Sequence, residues 1–142
     1  MNSPAGRLPL AVLAEALFVC RLASPPPPDL LNGKAGFTAL IASPGEVTLI
    51  CDGDTAARLE PPATEGPWRA LYVVGTLDFS LTGIIAGLTA PLAAAAVPVF
   101  VVSTFATDYL LVPADRLGDA LDSLGETCDI QPNPFWGASA VS

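Results

Sequence analysis

The chain has no histidine among its 142 residues. That absence removes the Ser-His-Asp triad, the Cys-His pair, the zinc-protease helix and the usual general base near neutral pH. Lysine is almost as scarce: Lys34 is the single one, set in the polar stretch Asn32-Gly33-Lys34, which reads as a solvated loop. Positive charge is thin throughout, with 6 Lys+Arg against 14 Asp+Glu and a formal net charge of -8. Nucleic acid and anionic membrane surfaces both demand clustered cations, so neither is an expected partner. There is no C-x-x-C, and the three cysteines, Cys20, Cys51 and Cys128, are far apart in apolar surroundings. No metal site and no other cofactor is therefore expected, and each thiol is read as a small buried hydrophobe. Thiols outside disulfides suggest a reducing, cytoplasmic setting.

What is abundant is apolar surface: hydrophobic residues make up 51% and charged residues only 14%. This supplies the core of one ordinary domain, or of two small ones. Residues 7–18 resemble a weak signal sequence, but Glu15 interrupts the apolar run and no clean cleavage site follows, so a strand is the better reading. The uncharged stretch from Phe79 to Thr107 has the length of a membrane span. Pro91, Pro98 and its Ala/Gly richness argue instead for a helix followed by a strand.

Residues 8–22 are β-compatible and are followed by Pro25 to Pro28, a stiff connector. Residues 37–42 and 46–51 form two expected strands around the turn Ser43-Pro44-Gly45. Residues 52–67, with Pro61, Pro62, Gly66 and Pro67, read as a polar linker. A strand is expected over 68–74, then a helix over 80–96 with Leu81, Ile84, Ile85, Leu88 and Leu92 on one face. Asp78 or Ser80 is expected to cap that helix, and Pro91 to kink it. Val97 to Ser103 reads as a strand covered on both faces, Tyr109 to Val112 as a second. Pro113-Ala114-Asp115 open a helix with Leu117, Leu121 and Leu124 on its face, and 128–130 form a weak last strand.

The order of the second half is thus β-α-β-β-α-β, the α+β ferredoxin-like arrangement. The first half is expected to be a degenerate copy whose first helix has shrunk to the proline-rich connector. The expected boundaries are 8–60 for the first half, 68–131 for the second, and 132–142 for a tail.

Four pieces carry a family resemblance: W-R-A-L (68–71), L-D-F-S-L-T-G (77–83), A-P-L-A (90–93) and S-T-F-A-T-D-Y-L-L-V (103–112), with S-P-G-E-V-T-L-I-C (43–51) as a further one. Together they resemble the ACT domain of the aspartokinase-regulatory type, as found in small stand-alone bacterial proteins and in CASTOR-like arginine sensors. The resemblance implies tandem ACT-like units, pairing into homodimers, amino-acid binding at an ACT interface, and no catalysis. One departure is that Ala95-Ala96-Val97-Pro98 stands where such domains turn on glycine after the first helix. A left-handed cap is not expected there without Gly.

An amino-acid ligand needs anion donors and cation acceptors a few ångströms apart. The turn Leu77, Asp78, Phe79, Ser80 and Leu81 leads into a helix N-terminus, whose N–H groups suit a carboxylate. The turn holding Thr104, Phe105 and Asp108 leaves the next strand. Asp108 is the candidate partner of an ammonium or guanidinium, Thr104 of the polar shell, and Phe79 and Phe105 of the ligand's apolar stem. Each has a plainer role beside that one: Asp78 and Ser80 as caps, Asp108 and Thr104 as turn residues, the phenylalanines as core. Glu46, at the start of a strand, reads as a solvated edge residue. The sequence therefore favours a non-catalytic sensor of amino acids, the alternative being a structural dimerisation or adaptor module without a ligand.

Overall fold

In a computed structural model of the chain, residues 7–32, 36–75 and 82–132 are described. They divide into two compact units: Glu15–Trp68 forms one, and the other gathers the chain on either side of it, Met1–Ala14 and Arg69–Ser142.

The unit Glu15–Trp68 is built from strand β2 (Leu17–Leu22), the hairpin β3 (Ala39–Ser43) and β4 (Glu46–Asp52), helix α1 (Gly53–Leu59) and the beginning of β5 (Ala63–Val73). Pro44 and Gly45 form the hairpin turn, and Gly45 takes φ 77°, the left-handed value glycine accepts without strain. The strand order is β3-β4-β2-β5. Where a first helix would stand, the prolines 25–28 run into a turn closed by Leu30 N–H donating to the Pro27 carbonyl (3.1 Å). Proline supplies no N–H for helical bonds, so the connector cannot become a helix. The core of this unit is Cys20, Leu49, Cys51 and Ala56, with Phe18, Leu22, Leu30 and Leu59 against it.

The reading of 52–67 as a linker is overturned here. Asp52 accepts a hydrogen bond from Thr55 N–H (2.8 Å) and so caps α1, whose Thr55 and Ala56 are buried. The two prolines fall after the helix has ended, and β5 begins at Ala63, pairing with β2 from Arg21↔Ala63 to Leu17↔Trp68. Apart from Thr55, most of the polar residues lie on the outer face of ordered elements, which composition alone does not separate from loop.

The second unit contains the end of β5, helix α2 (Ile84–Ala94), β6 (Phe100–Ser103), β7 (Asp108–Pro113), a 3-10 turn at Ala114–Arg116, α3 (Leu117–Leu124) and β8 (Cys128–Ile130). Its strand order is β6-β7-β5-β1-β8, where β1 (Leu8–Val12) comes from the start of the chain. Leaving β1 aside, both units show the same order: second strand, third, first, last. This is the ferredoxin-like βαββαβ arrangement, with the first helix lost in one unit. In the other unit β1 is inserted between the first and last strands, antiparallel to β5 and parallel to β8.

Leu10, Leu71, Leu88, Leu92, Leu110 and Leu124 form the heart of this unit's core, each fully buried. Burying each leucine favours the fold by about 1.5–3 kcal/mol, and strand alternation directs Leu71 of β5 and Leu110 of β7 into this core. Two expectations fail beyond α2. Val97 to Ser103 is not a strand covered on both faces: β6 begins only at Phe100 and forms the sheet edge, with Val101 37% exposed. The left-handed cap does form, on alanine: Ala96 has φ 58°, Val97 N–H donates to the Leu92 carbonyl (2.9 Å) and Ala96 N–H to that of Ala93 (3.0 Å). This is the Schellman arrangement. Arg116 secures it by donating to the carbonyls of Ala95 and Ala96, both at 3.2 Å.

Candidate functional site

Helix α2 begins at Ile84, with Gly83 as its N-cap at φ 81° and no side-chain hydrogen bond capping it. Its first turn also carries no acidic residue. The end of α2 therefore keeps its N–H groups and its partial positive charge uncompensated by described side chains, unlike α1 with Asp52. Leu77, Asp78, Phe79, Ser80 and Leu81, the predicted ligand turn, lie outside the described residues, as does Lys34. The expected capping by Asp78 or Ser80 falls outside them too.

A pocket of about 220 Å³ opens at this helix start. Thr82, Gly83, Ile84 and Gly87 bound it from the helix side, Leu8 from β1, and Thr127 and Cys128 from the start of β8. Gly87 leaves room in it, since a Cβ built there meets no atom within 4 Å. Burial pushes the Cys128 thiol above its usual pKa, opposed by a hydrogen bond with Thr127 (3.8 Å) and by the positive charge of Arg7. A thiol kept protonated in this way is a poor nucleophile, so it contributes shape rather than reactivity.

The other predicted residues sit in the turn between β6 and β7. Thr104 holds that turn together: its hydroxyl accepts from Thr107 N–H (3.1 Å) and Ala106 N–H (3.3 Å), while its own N–H donates to the Thr107 carbonyl (2.8 Å). Thr107 is buried and donates from its hydroxyl to the Val73 carbonyl (2.8 Å), tying the turn to β5. Asp108 accepts from the Ser103 hydroxyl (2.7 Å) across the last pair of the hairpin. Phe105, at the tip, is 83% exposed, so it is not part of the core. The described lining of the pocket contains none of Thr104, Phe105 and Asp108. Glu46 is exposed and accepts from the Thr48 hydroxyl (3.2 Å).

Sequence reasoning missed Leu8, Gly83, Gly87, Thr127 and Cys128 as pocket residues. Gly83 and Gly87 are spaced one helical turn apart, a signal of an open face at a helix start. Nothing in the sequence joins Leu8 to Cys128. A broader hollow of about 730 Å³ lies in the other unit, lined by Glu15, Phe18, Asp52, Asp54, Thr55 and Arg58 among others. Several of these groups are already engaged: Asp52 caps α1, Glu15 accepts from Phe37 N–H (3.0 Å) and Arg58 donates to Thr55 (3.4 Å). Among the described residues no cluster of three or more His, Cys, Asp or Glu is arranged to hold a metal, and no helix is long and apolar enough to cross a membrane.

Residues 63–126 match the family model of the ACT domain. This matched segment runs from β5 through α3 and carries the start of α2. The chain is 28% identical over 125 residues to the cytosolic arginine sensor for mTORC1 subunit 1 of Bos taurus, covering 80% of this chain and 38% of that protein. It is 31% identical over 94 residues to the Homo sapiens protein of the same name, covering 62% of this chain and 29% of that one. The chain thus spans well under half the length of these relatives. Among solved structures, a protein from Agobacterium tumefaciens is similar at a TM-score of 0.74 and 26% identity, covering 89% of this chain and 94% of that one. The ligand-free regulatory subunit of aspartate kinase from Thermus thermophilus is similar at a TM-score of 0.58 and 12% identity, covering 84% of this chain and 97% of that one. That last likeness concerns the fold alone.

Proposed function

We propose that this protein is a non-catalytic regulatory module that binds an amino acid at the N-terminal end of α2. The single observation that carries this reading is the pocket at the start of α2, a helix end that no described side chain caps, within the segment matching the ACT domain. N–H groups and the helix dipole suit the ligand's carboxylate. Asp108 is the candidate acceptor for the ammonium, brought to the ligand where a second copy of the chain pairs with the first. Residues 77–81, with Thr104 and Phe105, are the remaining contacts of this reading. The relatives named as arginine sensors favour an amino acid as the ligand class, and the lack of any histidine favours a role without catalysis.

A homodimer in the cytoplasm belongs to the same reading. Buried thiols outside disulfides suit a reducing compartment. The uncharged edge strand β6, with exposed Val101 and Phe105 on its hairpin, suits pairing with a second copy. That edge is also the observation favouring the second reading, a dimerisation module without a ligand.

Thermal-shift measurement against the proteinogenic amino acids at millimolar concentration tests the proposal. The expected result is that one amino acid, or a small chemical group of them, raises the melting temperature. No rise with any of them would favour the second reading.

A further inference from the structure

We infer that Arg7 is a positioning residue, a latch that holds β1 against β8 and thereby closes the pocket at the start of α2; the pocket's role as a ligand site is the reading given above. Arg7 immediately precedes β1. Its guanidinium donates to three main-chain carbonyls where α3 gives way to β8: Gly125 (2.9 Å), Glu126 (3.1 Å) and Cys128 (2.6 Å). A planar fork of donors fits such a fan of acceptors, and a lysine ammonium does not replace it.

The joint that Arg7 reinforces is a weak one by construction. β1 and β8 are parallel and share only the pairs Leu8↔Cys128, Pro9↔Asp129 and Leu10↔Ile130. Parallel pairing is slightly less stable per residue than antiparallel pairing. The pair nearest Arg7, Leu8 and Cys128, is also the pair that walls the pocket. The two sides of that wall lie about as far apart in sequence as the chain allows, since Arg7 and Gly125 are separated by 118 positions. Release of the Arg7 grip therefore frees one wall of the pocket while the helices and antiparallel strands of the unit stay in place.

The test reads the wall directly, with Cys128 as reporter and Cys20 and Cys51 of the other unit as internal references; all three thiols are buried. Alkylation by iodoacetamide is followed cysteine by cysteine by mass spectrometry in the intact chain, for the wild type, Arg7→Ala and Arg7→Lys. The expected result is that Arg7→Ala speeds alkylation of Cys128 by about tenfold or more, with Cys20 and Cys51 unchanged, because a local opening exposes only what it frees. Arg7→Lys, which keeps the charge but loses the fork, should fall between, and it decides the matter should Arg7→Ala fail to fold. Equal acceleration at all three cysteines, or none at Cys128, overturns the latch. In the wild type, an amino acid held in the pocket should slow alkylation of Cys128. If Arg7 controls Cys128 and no amino acid slows it, the latch stands and the ligand reading falls; the reverse pattern removes the latch and leaves the ligand reading.

Discussion

Ser103 donates its hydroxyl hydrogen to a carboxylate oxygen of Asp108 at 2.7 Å, joining the end of β6 to the start of β7. The bond is exposed, and an exposed hydrogen bond adds little to stability, about 0.5–1.5 kcal/mol. Its effect is to aim the carboxylate. Asp108→Ala is therefore expected to cost no more than about 1.5 kcal/mol in urea unfolding while abolishing the melting-temperature rise given by an amino-acid ligand. Ser103→Ala should retain part of that rise, because the carboxylate remains. A full response from Asp108→Ala would remove this residue from the site.

The left-handed alanine at the end of α2 makes a second prediction. A non-glycine residue in this conformation costs about 1–2 kcal/mol, and part of the relief from glycine is lost to its freer unfolded chain. Ala96→Gly is expected to stabilise the protein by about 0.5–1 kcal/mol, a few degrees in melting temperature. Arg116→Ala should destabilise it by about 1 kcal/mol, through loss of the bonds to Ala95 and Ala96 and of the 2.8 Å ion pair with Asp119. Calorimetry of both variants checks the pair, and a destabilised Ala96→Gly contradicts the assignment of this cap.

Tyr72 predicts a response to alkali. It is fully buried on β5 and stacks with Tyr109 of β7, ring centroids 5.3 Å apart. Burial, and then the charge of Tyr109, push its pKa from 10.0 to about 12, and burial raises Tyr109 as well. The folded state thus keeps its proton where the unfolded chain has given it up. Stability from this source is complete below the unfolded pKa of 10.0 and is lost as pH climbs towards about 12, at a slope of at most about 1.4 kcal/mol per pH unit for one group. Urea unfolding across the alkaline range should show this decline in the wild type and a shallower one in Tyr72→Phe, where Tyr109 and Cys128 still contribute. Parallel declines would exclude Tyr72 as the source.

Much of the second unit was legible in the sequence, because its elements announce themselves by period. Ile84, Leu88 and Leu92 recur at helical spacing, and Tyr109 to Val112 is an apolar run bounded by a turn. Where the reading failed, a local rule met a nonlocal one. Residues 53–59 look like linker because α1 is short and mostly exposed; its evidence is the cap from Asp52. Ala96 adopts the glycine conformation because Arg116, twenty positions later, holds the carbonyls beside it. Leu81 continues the apolar spacing of α2 in the sequence, yet α2 begins at Ile84, where Gly83 takes a left-handed conformation as the N-cap. The pocket itself was least legible. Its strand wall pairs Leu8 with Cys128, a contact made only when the first strand of the chain inserts beside the last.

The most direct measurement of the central claim is ligand binding by Gly87→Leu beside the wild type. Gly87 lines the pocket at the start of α2 and a Cβ built on it has open space around it, so leucine is introduced there to obstruct the pocket. Replacing glycine within a helix also favours folding, by up to about 1 kcal/mol. The account predicts a variant that melts at or above the wild-type temperature and no longer responds to the amino acid that stabilises the wild type. A variant that is equally stable and still binds that amino acid with unchanged affinity would contradict the placement of the ligand at the start of α2.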